Sequence, residues 1–280
     1  MTEPYLPQEW PVNPRTDIDE PYQPSWAPNA VLTTDRELHV GREPTHIDRE
    51  NRENVRGHNA PRGVSGNGQR ELAQVITGLR PVTSGSIAVS GSIVTNKSPS
   101  VINALGLSHI PEERMVDGVI KEFTVAENLV LQTHGSPEFT RGGIFMNFRR
   151  IGQACQEAIT AYEIKTPGTD TPVKNLSGGN IQKLVLAREL ARQPKVLIAA
   201  QPSRGVDIGA TEYIHRRLLE ERARGTAILL ISEDLDEILA LSDRIMVMYE
   251  GQIVSEVLRE AVNIQQLGAM MAGAAVEKTR

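Results

Sequence analysis

Leu176-Ser177-Gly178-Gly179-Asn180-Ile181-Gln182-Lys183 precedes an apolar run, Val196-Leu-Ile-Ala-Ala200, which turns through Pro202 and Gly205 to an acid at Asp207. A serine and two glycines opening a helix make an anion cradle. The first backbone N–H groups of a helix have no intrahelical partner, point outward and carry the positive end of the helix dipole. Taken alone, the octad also fits an N-capped helix with a flexible entry. The buried strand, the turn and the acid that follow favour the anion-binding reading.

Working outward, apolar residues at helical spacing (Leu72, Val75, Ile76, Leu79) predict a helix over 69–78. Further helices are predicted over 124–131, 148–162, 178–192, 210–224 and 234–241. Thr124 and Glu127 form a capping-box pair, Pro194 follows the fourth of these six helices, and Gly225 stops the fifth. Short strands are predicted over 85–90, 92–95, 106–110, 196–200 and 227–232, with a hairpin of 244–249 and 252–254 about Glu250-Gly251. Strands alternating with helices imply an α/β fold, a mainly parallel sheet with helices on both faces. No internal repeat is visible.

The first sixty residues differ. Both tryptophans, Trp10 and Trp26, and about half of the prolines precede Arg62. The segment follows neither helical nor strand period and offers few apolar groups to offset chain entropy. Residues 1–60 are expected to be disordered or irregular, with weak strands near 30–34 and 37–40. A net charge of −5 argues against a nucleic-acid binder. The single cysteine, Cys155, excludes an internal disulfide and reads as a small buried apolar residue. No apolar stretch is long enough to span a bilayer and no secretory signal is present, so a soluble chain, or one held to a membrane by a partner, is expected.

Gly63-Val-Ser-Gly-Asn-Gly-Gln-Arg70 fills the frame G-x-x-x-x-G-K-[ST]. Gly63, Gly66 and Gly68 leave a backbone able to wrap phosphate oxygens. Gln69 stands where a lysine would neutralise phosphate charge, and Arg70 where a hydroxyl would hold Mg²⁺. By itself the loop is equally a glycine turn. Its lead-in, Val55-Arg-Gly-His-Asn-Ala-Pro-Arg62, cannot make a central strand, because proline lacks the ladder donor and the alternation is wrong.

This order of motifs resembles the nucleotide-binding subunit of ABC transporters. More narrowly, it is similar to the second, degenerate ATPase half of bacterial simple-sugar and nucleoside importers. The resemblance covers residues 63 to about 273, including Leu267-Gly-Ala-Met-Met-Ala-Gly273. It implies a P-loop NTPase-like domain over 61–275, with a helical subdomain over about 115–180, between an atypical N-terminal segment and a tail of 276–280. The missing apolar lead-in departs from the family, and a truncation, fusion or frame error at the N-terminus is expected.

What the resemblance implies for single residues is specific. Ser177, Gly178, Gly179 and Asn180 would bind the γ-phosphate of ATP held by a partner half, and Asp207 would contact that partner. In Ser108-His-Ile-Pro-Glu-Glu-Arg114, Glu112 takes the glutamine-loop position, although a plain surface turn reads equally from these residues; His109 reads as an ordinary strand residue. Ala200 and Gln201 replace the Asp-Glu pair that supports Mg²⁺ and orients water. Glu233 replaces the switch histidine. With Gln69, Arg70, Glu112, Ala200, Gln201 and Glu233 all altered, no catalytic set is intact in this chain, and little or no ATPase activity is expected from it alone. ATP is the implied cofactor, with Mg²⁺ only at the partner's site. The implied partners are an intact ABC ATPase half, permease subunits and a substrate-binding lipoprotein, with no nucleic acid, at the cytoplasmic face of the membrane. The rival readings are a structural or regulatory partner of a permease or ATPase, and a remnant that does not fold stably.

Three lesser readings complete the sequence. His215, Arg216, Arg217, Glu220, Glu221 and Arg222 read as a solvated helix face with i,i+4 pairing. Met246, Met248, Met270 and Met271 read as packing residues. No zinc-type His/Cys cluster and no nucleophile triad is apparent.

Overall fold

Val196–Ala200 and Ala227–Ile231 contain no polar side chain, and both are buried from end to end. Strands covered on two faces read this way. They belong to a computed structural model that describes residues 38–40, 67–82, 85–141, 145–249 and 251–271. Trp10, Trp26, the strand expected near 30–34, the lead-in 55–62, Gly63, Gly66 and the tail 276–280 lie outside the described residues.

In chain order the first half holds β1 (Leu38–Val40), α1 (Gln69–Ile76), β2 (Ile87–Val89), β3 (Ser92–Ile93), α2 (Pro99–Ala104) and β4 (Leu107–Ile110). A π-helical turn (Arg114–Gly118), α3 (Val125–Val130), β5 (Thr140–Arg141), β6 (Phe145–Met146) and α4 (Phe148–Ala161) follow. The second half holds a 3-10 turn (Val173–Asn175), α5 (Gly178–Leu190), β7 (Val196–Ala200), α6 (Ile208–Ala223), β8 (Ala227–Ile231) and α7 (Leu235–Leu241). It closes with β9 (Arg244–Tyr249), β10 (Gln252–Leu258), a second 3-10 turn (Arg259–Ala261) and α8 (Ile264–Met271).

The central sheet is parallel, in the order β4-β7-β8, with Leu107 opposite Val196 and Val196 opposite Ala227. Alternate residues of each strand enter opposite cores. Leu197, Ala199, Ile228 and Leu230 pack with Leu184, Val185, Tyr213 and Ile214 on one face. Val196, Ile198, Ala200, Leu229 and Ile231 pack with Leu72, Ile76, Ile87 and Ile102 on the other. The expected parallel sheet covered on both faces is therefore present. Antiparallel pieces flank it. β1, β2 and β3 form a three-stranded sheet, in which β1 realises the weak strand expected near 37–40. β9 and β10 form the expected hairpin.

Boundaries differ where local bonding outweighs periodicity. α1 ends at Ile76, because Gly78 adopts φ 75° and donates its N–H to Val75 O, while Thr77 Oγ1 donates to Ala73 O. Leu79, assigned to the apolar face of that helix, is instead outside it and exposed. β10 runs four residues beyond its expected end at Val254, since pairing with β9 resumes after a register shift between Ile253 and Ser255.

The helix carrying His215 to Arg222 is not simply a solvated face. Only Arg216–Glu220 is an i,i+4 pair. His215 Nε2 lies 2.9 Å from Glu237 Oε1, Arg222 pairs with Asp243, and Arg217 stacks on the Tyr162 ring at 4.4 Å. Glu221 is buried. Met248 and Met270 fill core positions and Met246 packs beside one. The Met271 side chain lies outside the described residues. Cys155 is buried, and burial pushes its thiol up to about 11.

Candidate functional site

The tip of α5 is built differently from the starts of α3, α6 and α7, and like that of α2, whose N-cap Ser98 also makes no side-chain capping bond. Thr124 caps α3 through a reciprocal box with Glu127, Asp207 caps α6 by accepting from the Ala210 N–H at 3.0 Å, and Asp234 caps α7. Ser177, the N-cap of α5, makes no side-chain capping bond. Its Oγ accepts instead from Asn180 Nδ2 at 2.9 Å, and Asn180 Oδ1 accepts from the Lys165 N–H at 2.8 Å. Ser177 thus leaves the first-turn amides without a side-chain cap, at the end of the helix where the dipole is positive.

Both glycines sit where a Cβ would be crowded. A Cβ on Gly179 would lie 3.2 Å from Ala210 Cβ and 3.3 Å from Asp207 Oδ2. A Cβ on Gly178 would lie 2.9 Å from Arg114 Nη2. Deeper in α5, Lys183 Nζ sits 4.2 Å above the Tyr213 ring centroid and donates to Glu163 O. Burial, ahead of the neighbouring charges, lifts the Tyr213 hydroxyl to about 12.

Beside the tip, the turn after β4 and the loop after β7 are joined by two arginines. Arg114 Nη1 donates to Arg204 O, and its Nη2 donates to Gly205 O at 2.9 Å. Arg204 returns an ion pair to Glu112. The surface-turn reading of Glu112 is therefore incomplete, since its carboxylate is engaged across the fold. Arg114 went unremarked in the sequence. The only available signal was its place two residues after Glu112, and nothing in that spacing separates it from a surface arginine.

At the carboxyl ends of β7 and β8 a second set of residues meets. Ala200 is buried and offers no oxygen. Gln201 is held at φ 48°, a left-handed conformation uncommon outside glycine. Its N–H donates to Ile231 O at 2.7 Å, and its Oε1 accepts from the Glu233 N–H at 3.3 Å. The Glu233 residue is exposed.

Arg70 joins neither set. Gly68 takes φ 104° at the start of α1, Gln69 follows, and the Arg70 guanidinium approaches Asp117 Oδ2 at 3.6 Å on the π-helical turn. Both partners are about half exposed, which makes this a weak contact. Mg²⁺ takes oxygen donors. Ala200 supplies none, the Gln201 oxygen already accepts from Glu233, and Arg70 is itself a cation, so these residues do not fit that metal.

A buried network lies behind α5. Glu189 accepts from Arg188 Nε and Gln132 Nε2, both at 2.9 Å, and lies 3.6 Å from Arg192. His109 on β4 is half-buried, and its Nε2 is sealed from solvent without a partner. Burial, then the Arg188 charge, holds its imidazole down to about 4. His109 is thus a strand residue, as expected. Among the described residues no helix is long and apolar enough to cross a membrane.

The chain has the ABC ATPase fold. It superposes on the post-hydrolysis dimer of an ATP-binding cassette bound to ADP and Pi with a TM-score of 0.59 at 20% identity, covering 71% of this chain and 83% of that one. A nucleotide-free ATP-binding cassette from an ABC transporter gives 0.57 at 26% identity, covering 69% and 77%. In sequence, the chain is 44% identical over 211 residues to the nucleoside import ATP-binding protein NupA of Lactococcus lactis subsp. cremoris, covering 75% of this chain and 42% of the relative. It is 42% identical over 211 residues to the guanosine import ATP-binding protein NupO of Bacillus subtilis, covering 75% and 41%. The glucose import ATP-binding protein TsgD13 of Haloferax volcanii is 42% identical over 213 residues, covering 75% and 38%. The chain therefore spans about two fifths of the length of these curated relatives. The family model described as ABC transporter matches residues 60–204, just over half of the chain, and the chain belongs to the ABC transporter family.

Proposed function

We propose that this chain is an ATP-binding subunit of an importer for nucleosides or simple sugars, corresponding to the second and degenerate ATPase half. Residues 61–275 form its nucleotide-binding domain, with the helical subdomain over about 115–180. It lends the open tip of α5 to ATP bound by a competent partner half. Ser177 and the amides of Gly178, Gly179 and Asn180 face the γ-phosphate there, and Asp207 faces the partner. Its own pocket, with Gln69, Arg70, Ala200, Gln201 and Glu233, binds nucleotide weakly and does not turn it over; Gly63, Gly66 and Gly68 are what is left of its phosphate loop. Mg²⁺ is held at the partner's site. The assembly includes permease subunits and a substrate-binding lipoprotein, and places this chain peripherally on the cytoplasmic face of the membrane. The likeness to nucleoside, guanosine and glucose import ATP-binding proteins supports the nucleoside or sugar class.

One observation carries this reading: the α5 tip is uncapped, while the carboxyl end of β7 has no acid. Chemistry that this chain cannot run is matched to a donor surface that it leaves free. The test replaces Ser177 in the assembled complex. Ser177→Tyr is expected to lower MgATP turnover by about 100-fold, the scale seen when a phosphoryl- or oxyanion-stabilising donor is removed. Unchanged turnover would leave only the structural-partner reading.

A further inference from the structure

We propose that Arg114 is a positioning residue that ties the turn after β4, the loop running from Gln201 to Asp207 and the α5 tip into one moving unit. The inference goes beyond the trans-donor reading, and its first test does not depend on that reading.

One guanidinium spans two consecutive carbonyls, of Arg204 and Gly205, from a residue about ninety positions earlier in the chain. The same Nη2 that reaches Gly205 O also lies where a Cβ on Gly178 would come within 2.9 Å. Arg114 therefore touches the loop on one side and the first residue of α5 on the other. The loop's own arginine, Arg204, reaches back to Glu112, so the two segments are crossed by bonds in both directions. At the far end of the loop, Asp207 Oδ2 sits against Gly179. The tip thus has Arg114 and the Gly205 carbonyl, 3.5 Å from a Cβ on Gly178, on one side and Asp207 on the other, and Arg114 connects the loop of Gly205 and Asp207 to the turn after β4. Arg114 Nε is buried without a partner, so the described bonds of the guanidinium are those of its two terminal nitrogens to these carbonyls. A planar fork can hold two carbonyls at fixed separation, whereas an ammonium cannot reproduce that geometry.

Displacement of residues 112–118 is therefore transmitted to the tip and to the Asp207 loop together. The first experiment measures amide exchange on the full chain for the native protein, Arg114→Ala and Arg114→Lys. In Arg114→Ala, exchange in 176–181 and 202–207 is expected to rise together by at least about fivefold, with β7 and β8 unchanged; Arg114→Lys should fall between. No change in either segment, a rise in 202–207 alone, or a rise across the whole sheet would overturn the proposal. The second experiment uses the assembled complex. There, Arg114→Ala is expected to reduce kcat about tenfold while KM for MgATP stays within about twofold, because the tip engages only in the closed state. Coupled exchange with Ser177→Tyr silent would sink the trans-donor reading and leave the clamp standing. Uncoupled exchange with Ser177→Tyr damaging would sink the clamp alone.

Discussion

Gly78 turns the chain out of α1 at φ 75°, and a Cβ there would meet Lys97 O at 2.6 Å and Ile102 Cδ1 at 2.8 Å. A backbone carbonyl cannot step aside as a side-chain end can. Gly78→Ala is expected to cost about 2–3 kcal/mol, combining the left-handed penalty with overpacking. Gly91 has nearly the same φ, 76°, but nothing within 4 Å of its Cβ position. Gly91→Ala should cost only the conformational part, about 1 kcal/mol. Urea midpoints at constant m-value distinguish the two. At this scale the sequence disclosed chemistry better than conformation. That Ala200 holds no metal and Gln201 takes no proton followed from side-chain type alone. That Gln201 is left-handed and binds the Glu233 amide did not follow, because the partner arrives from another strand. Arg114 stayed hidden for the same reason: its partners are backbone carbonyls, which any sequence supplies.

Of two helix starts capped by equally local bonds, one was legible. Thr124 and Glu127 stand three apart, and the capping box that this spacing predicts is complete. The Asp207 cap was missed. The expected start of α6 at Ala210 followed the apolar pattern, while the helix begins at Ile208 under the Asp207 carboxylate. Asp207→Ala is expected to lose about 1 kcal/mol of stability through the lost cap. Asp207→Asn keeps an acceptor and should lose little. Thermal unfolding of both variants, set beside turnover of the assembled complex, separates the cap from any role toward a partner half. The charged face of α6 was misjudged because i,i+4 reasoning sees one helix only. His215 finds Glu237 and Arg222 finds Asp243, each across a stretch of β8 and its flanking turns. β7 and β8 were legible because they are apolar throughout, a pattern that surface contacts do not disturb.

For the molecule as a whole, His109 sets an acid limit. Its native imidazole titrates at about 4, against an ordinary value of 6.5, because burial and Arg188 disfavour the charged form. The unfolded chain binds that proton first as pH falls. Stability from this group is complete above about pH 6.5 and declines towards about pH 4, by about 3 kcal/mol in all. His109→Asn should flatten that slope, as read from urea unfolding at pH 7, 5.5 and 4.5. The parallel core was readable from the order of motifs, whereas the buried network around Glu189 was not, since it joins residues far apart in the chain.

The bond from Gln201 to the Glu233 amide has one more consequence, for reversibility. A carboxylate restored at that position would meet the same N–H and be drawn toward it, away from an incoming water. A buried methyl at Ala200 and a neutral amide at Gln69 would still deny it a cation to work beside. On the proposed reading, self-sufficient hydrolysis would need changes at several positions at once, and a single substitution would not supply it.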